Sequence, residues 1–144
     1  MLNTKQIGNI TEIECMLAFI KLGYNVLTPY GDCERYDFVV DINNSLYRIQ
    51  VKTSHLSTDG SYIEFKTSNK TTREGTFVQH AYTKEQIDYF MTFYNNTAYL
   101  IPVEQSSKSN KRLRFTPPKN NQTQGINFAK DYELERQVAK ILER

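Results

Sequence analysis

Three residues on one short stretch have the types that metal-assisted phosphodiester hydrolysis requires: Asp37, Gln50 and Lys52. They lie in RYDFVVDINNSLYRIQVK, where two alternating runs flank Asn43-Asn44. Asn tolerates the positive φ of a tight hairpin turn. Closing the hairpin symmetrically on that pair sets Asp37 opposite Gln50, Arg35 opposite Lys52 and Val39 opposite Arg48. The other face then pairs Tyr36 with Val51, Phe38 with Ile49 and Val40 with Tyr47. Opposed side chains sit ~5 Å apart, so one face gathers a carboxylate, an amide and an ammonium. Strands disfavour Asp, and a carboxylate between two buried aromatics needs a reason. The plain reason is a salt bridge to Arg48 or Lys52; the chemical one is a Mg²⁺ ligand. Magnesium takes oxygen donors and keeps several waters, so one or two carboxylates plus a carbonyl suffice. The Gln50 side chain offers a carbonyl, and the Val51 backbone offers another. Lys52 is placed to orient the attacking water or stabilise charge on the scissile phosphate.

Glu12 supplies a second acid if the preceding helix packs on this hairpin. The spacing predicts that helix over residues 4–23, capped by Asn3 or Thr4 and ended by Gly23. Ile10, Ile13, Leu17 and Ile20 form its apolar stripe, widened by Met16 and Phe19, and this stripe is expected to cover the sheet. Glu12 lies on the stripe's border, where a solvated edge residue is the ordinary occurrence.

Further strands are expected at 24–27, 61–66, 89–94 and 97–101, the last two joined by Asn95-Asn96. Residues 67–82 read as a long polar loop, 105–127 as irregular, and 131–143 as a closing helix with Tyr132, Val138 and Ile141 as apolar points. The order predicts an α/β domain with a mixed sheet of about five strands flanked by helices, one domain spanning 1–144.

Composition narrows the class. The chain has 144 residues, 39% hydrophobic and 24% charged, an ordinary soluble balance. A net charge of +2 is too mild to indicate nucleic acid alone, so distribution matters more than total. The two cysteines form no framework: Cys15 reads as a buried thiol and Cys33 as an incidental loop thiol. With two His and no CxxC, structural zinc is not expected, and His55 and His80 read as bystanders. No signal peptide and no ~20-residue apolar run is present, which points to a cytoplasmic protein without a membrane partner. Positive charge concentrates after residue 105, in Lys108, Lys111, Arg112, Arg114 and Lys119, beside Asn120, Asn121 and Gln122, whose side chains suit base edges or phosphates. Lys66, Lys70 and Arg73 form a second basic candidate, and Arg35 a third on the acid-bearing face.

Taken in order, Glu12, Asp37 and Gln50-Val51-Lys52 resemble the PD-(D/E)xK nuclease superfamily, with an acid on the first helix, an Asp on a hairpin strand and (D/E)xK on the next. The closer resemblance is to its group I intron-associated homing endonuclease branch, itself similar to archaeal Holliday junction resolvases. It is carried by Ile7-Gly8 through Glu12, Gly23-Tyr24-Asn25-Val26-Leu27, Gly31 through Asp37, Gln50-Val51-Lys52-Thr53, Ile87-Asp88-Tyr89-Phe90, Tyr99-Leu100-Ile101-Pro102-Val103 and Pro117-Pro118-Lys119-Asn120-Asn121-Gln122, and so covers most of the chain. Gln50 replaces an acid, a recurring variant in the homing branch, and Tyr36 replaces the Pro before Asp. The resemblance implies a restriction-endonuclease-like core and a DNA endonuclease dependent on Mg²⁺, with Mn²⁺ as a substitute. Glu12, Asp37, Gln50 and Val51 would be ligands and Lys52 the catalytic lysine, leaving 5′-phosphate and 3′-hydroxyl ends. Cutting both strands of double-stranded DNA needs two sites, hence a homodimer or homotetramer, for which the last helix offers apolar residues. The alternatives are a structure-selective junction resolvase and a DNA-binding module with a decayed site.

Overall fold

The Asn43-Asn44 pair does turn the chain, with φ of 54° and 69°, and the strands it joins pair in the expected register, from Phe38 opposite Ile49 to Ile42 opposite Ser45. The computed structural model describes the chain apart from residues 32–33, 107–108 and 123 and the side chains of 69–73, 77 and 79. Cys33 and Lys108 therefore lie outside the described residues, as do the side chains of Lys70 and Arg73.

In chain order the elements are helix α1 (Thr4–Lys21), then strands β1 (Asn25–Leu27), β2 (Phe38–Ile42), β3 (Ser45–Val51), β4 (His55–Leu56), β5 (Tyr62–Lys66), β6 (Ser68–Arg73), β7 (Thr76–Ala81), β8 (Tyr89–Tyr94), β9 (Thr97–Pro102) and β10 (Asn110–Arg114), and helix α2 (Leu134–Leu142). The central mixed sheet has five strands in the order β1-β2-β3-β8-β9, antiparallel except for the β3–β8 pair. Alternation along its strands sorts two cores. Ile49, Tyr89, Met91 and Leu100 face α1 and α2, while Phe90, Tyr99 and Ile101 face the other way. A second sheet, β10-β5-β4, closes that other side with Ile63, Phe65 and Leu113. Among the described residues no helix is long and apolar enough to cross a membrane.

Several expectations need correction. The polar run 67–82 is not a loop but a β6–β7 hairpin, turned by Glu74 and Gly75 at positive φ. Thr recurs in both strands and favours β structure, while their sequence shows no regular apolar alternation. The irregular stretch 105–127 contains β10, and the strand at 61–66 belongs to the second sheet. In α2, Val138 and Ile141 are buried in the core, and Tyr132 precedes the helix in a 3₁₀ turn, so none of the three is offered to a partner.

The largest correction concerns α1. Asn3 caps it through a reciprocal pair with Gln6, both bonds 2.9 Å. The side facing the sheet, however, is Thr11, Cys15 and Phe19. The anticipated stripe points outward, with Ile10, Ile13, Leu17 and Ile20 exposed by 43, 59, 44 and 54%. The helix is apolar on two sides, so periodicity could not choose between them. Fit to the sheet does: Phe19 meets Phe38 edge-on at 6.1 Å, and the small Thr11 and Cys15 let the helix approach.

Candidate active site

Regular β2–β3 pairing stops at Phe38, and there the site begins. The Asp37 N–H donates to the Ile49 carbonyl (2.8 Å), and its Oδ2 accepts the Val51 N–H (2.7 Å), so Asp37 brackets Gln50 through the neighbouring backbone. This departure from the ladder redirects residues 35 and 36. Tyr36 packs on the second core while Val51 packs on the first, so these two are not the apolar pair that the symmetric register implies.

Lys52 is set by the parallel β3–β8 pairing inside the sheet, where its N–H donates to the Met91 carbonyl (2.9 Å). The helix joins at the same place. Thr11 and Thr53 share a hydroxyl contact of 3.2 Å, which seats Glu12 beside the end of β3. The proximity is visible electrostatically: burial first, and then the Asp37 charge, push the Glu12 carboxyl above its ordinary range. Burial likewise raises Asp37, opposed by its bond from Val51 and by the Lys52 charge. The salt-bridge alternative with Arg48 fails, since Arg48 binds Asp88 (3.2 Å) and the carbonyls of Lys84 and Glu85.

Gln50 turns its side chain along the strand, Nε2 lying 3.4 Å from the Val51 carbonyl. Two half-buried carboxylates, an amide and a strand-end carbonyl are all oxygen donors of the kind a hard divalent cation takes. Among the described residues no group of three or more His, Cys, Asp or Glu is positioned to hold a metal, so such a cation would rely on Gln50 and Val51 to complete the set begun by Glu12 and Asp37. Both raised carboxyls fit that role, because a bound cation would offset the cost of ionising them side by side.

The basic residues separate. Lys66 lines a groove with Lys52, His55, Tyr62, Ser109 and Asn110. Arg112 and Arg114 border it by stacking on Tyr62, 4.7 and 5.7 Å from the ring centre, and Arg112 also pairs with Glu64 at 3.1 Å. Lys111 departs from the group. It is 5% exposed, bonds the Gln105 carbonyl (2.6 Å) and lies over Tyr132, and burial lowers its pKa. It faces the core, as the alternation of a strand dictates. Lys119, Asn120, Asn121 and Gln122 are exposed; Asn120 and Gln122 bond within their own turn at 3.0 Å.

Arg35 stacks on a residue that the sequence did not single out. Its guanidinium carbon is 4.0 Å from the centre of the Tyr82 ring, and the Lys52 Nζ is 5.0 Å from the same centre. Tyr82 ends the polar run after β7, and no local spacing connects it with position 35 or 52.

Residues 2–135 match the family described as PD-(D/E)XK endonuclease. Among solved structures, that of a bacterial homing endonuclease, I-Ssp6803I, superposes with a TM-score of 0.79 over 99% of each chain at 24% sequence identity, a likeness of fold. No curated protein matches the sequence.

Proposed function

The chain belongs to the PD-(D/E)XK endonuclease family, and on that premise we propose that it is a Mg²⁺-dependent, site-specific DNA endonuclease of the homing type, with Mn²⁺ as a substitute ion. The observation that supports the reading is the junction of α1 with the end of β3, where Asp37 accepts the Val51 N–H, its charge reaches Glu12 and Lys52, and the Gln50 amide lies along the Val51 carbonyl. Glu12, Asp37, Gln50 and Val51 would hold the cation. When bound, it polarises a phosphate oxygen and makes water a stronger nucleophile. Lys52 orients the water for in-line attack and offsets charge developing on the phosphate. The 3′ oxygen departs, leaving 5′-phosphate and 3′-hydroxyl ends.

DNA is read here as the partner because Lys66, Arg112 and Arg114 border the groove that starts at Lys52. The β6–β7 hairpin adds a two-stranded ribbon, a shape that a major groove admits. The fold likeness to a homing endonuclease favours site-specific cutting over structure-selective cutting. We place one site in the single domain 1–144 and expect the protein to act in the cytoplasm as a homodimer or homotetramer. The outward stripe of α1 offers an apolar surface for that assembly.

Cleavage of a random-sequence duplex library in Mg²⁺ tests the reading. Asp37→Ala and Lys52→Ala should each reduce cleavage ~10³-fold or more while leaving folding intact. Full activity in either variant sinks the assignment. The decayed-module alternative draws on Gln50, which removes one negative charge from the donor set. DNA binding without cleavage in Mg²⁺ or Mn²⁺ would select it.

A further inference from the structure

The Tyr82 ring carries two cations. Arg35 lies 4.0 Å from the ring centre and the Lys52 Nζ 5.0 Å, with the Tyr82 hydroxyl 3.4 Å from that Nζ. The ring is only 8% exposed and stands edge-on to Phe90, with centres 5.3 Å apart and planes at 85°, so it cannot swing aside easily. Ordinary core packing accounts for the Tyr82–Phe90 contact but not for two like charges brought to one ring. A second observation points the same way. Nε and Nη2 of Arg35 are buried and have no hydrogen-bond partner among the described residues. A buried charged donor without an acceptor is costly, and an anion reaching these two nitrogens would satisfy them. The guanidinium fork matches a phosphate's oxygens, and an anion would also relieve the repulsion between the two cations.

We propose that Tyr82 is a positioning residue that holds Arg35 and Lys52 together as a paired-cation clamp for a phosphate of the DNA strand being cut. The inference rests on the nuclease reading given above. The ring orients both cations, and the hydroxyl fixes Lys52 alone. The two contacts can therefore be removed separately.

In Tyr82→Phe the platform stays and the hydroxyl goes. Cleavage of the duplex library should lose ~10-fold in kcat, with KM and the salt dependence of DNA binding unchanged, because only the aim of Lys52 is affected. In Tyr82→Leu the platform is gone as well. There kcat should fall ~100-fold, and the slope of log affinity against log salt should drop by about 1, as it does in Arg35→Gln. The double variant Arg35→Gln/Tyr82→Leu should bind DNA no more weakly than Arg35→Gln alone, since the ring acts on affinity through Arg35. Thermal melts accompany each variant, and Tyr82→Phe, which preserves the packing on Phe90, keeps the test valid if Tyr82→Leu unfolds. Wild-type kcat in Tyr82→Phe, or an unchanged salt slope in folded Arg35→Gln, overturns the clamp. A wild-type protein that cuts no DNA in Mg²⁺ or Mn²⁺ overturns the nuclease reading and the clamp with it. Cutting by the wild type with equal kcat in both Tyr82 variants overturns the clamp alone.

Discussion

The β2–β3 and β6–β7 hairpins share a turn design and differ in nearly everything else. Each reverses through two residues at positive φ, Asn43-Asn44 at 54° and 69°, Glu74-Gly75 at 53° and 78°. The first sits in the five-stranded sheet and buries Phe38, Val40, Ile42 and Ile49. Among the described residues the second pairs only with itself, and Thr76, Val78, His80 and Ala81 are exposed while Ser68 at its base is buried. A lone two-stranded hairpin is marginal in water. The turn therefore decides where a chain folds back, and burial decides whether that fold-back supports the rest of the molecule. One hairpin leads out of the acid that starts the site; the other stands as a separate two-stranded ribbon.

The sharpest way to break this contrast is to truncate one side chain in each. Phe38→Ala should cost ~3–5 kcal/mol of global stability, whereas exposed Val78→Ala should cost less than ~0.5. Comparable losses in denaturant titrations would mean that the ribbon is part of the core after all. Next in size, replacing residues 69–80 with Asn-Gly should weaken binding to duplex DNA ~10–100-fold in gel-shift titrations while the melting temperature holds. Unchanged binding would remove the ribbon from the DNA interface. Smaller again is a matched strain at the turns. A β-branched residue at positive φ costs ~1–2 kcal/mol, so Asn44→Val should lower the melting temperature. Gly75→Val should instead speed hydrogen exchange in β6 and β7 alone, because a locally opening segment does not transmit its strain.

The smallest effect is in pH. Glu12 and Asp37 have folded pKa values raised above 4.5 and 3.8. As pH climbs through that window, the unfolded chain sheds these protons before the folded one does. In EDTA, stability should therefore fall as pH rises from those ordinary values through the raised ones, and then level off. Asp37→Asn should flatten part of the decline, and Mg²⁺ should offset it in the wild type. The ribbon's own exchange rates, corrected for intrinsic pH effects, should not follow.

The same contrast explains what could be read in advance. That Asp37, Gln50 and Lys52 lie near one another was legible because a two-residue turn makes a spatial neighbourhood out of a sequence neighbourhood. The central sheet was legible wherever apolar alternation marked a buried face. The ribbon was not, because no apolar alternation marks its strands and its turn is Glu-Gly, outside the strongest hairpin signals. Tyr82 was not, because its partner Lys52 is 30 residues distant and only the fold brings them together. Helix α1 was legible as a helix but not in its orientation, since Ile13 and Phe19 are equally good arguments for opposite faces.

The buried end of that orientation gives the helix a chemical clock. Cys15 lies against the sheet, fully enclosed, and burial together with the charges of Glu14, Asp37 and Glu12 holds its thiol well above 9.0. An alkylating reagent can reach it only after α1 lifts away, and that same motion carries Glu12 from Asp37. In a Cys33→Ser background, the rate at which the protein gains one label at neutral pH therefore reports how often the acid pair is apart when reclosing outruns alkylation, and how fast it comes apart when alkylation outruns reclosing. A ligand that draws the two carboxylates together would slow the labelling in proportion to its hold.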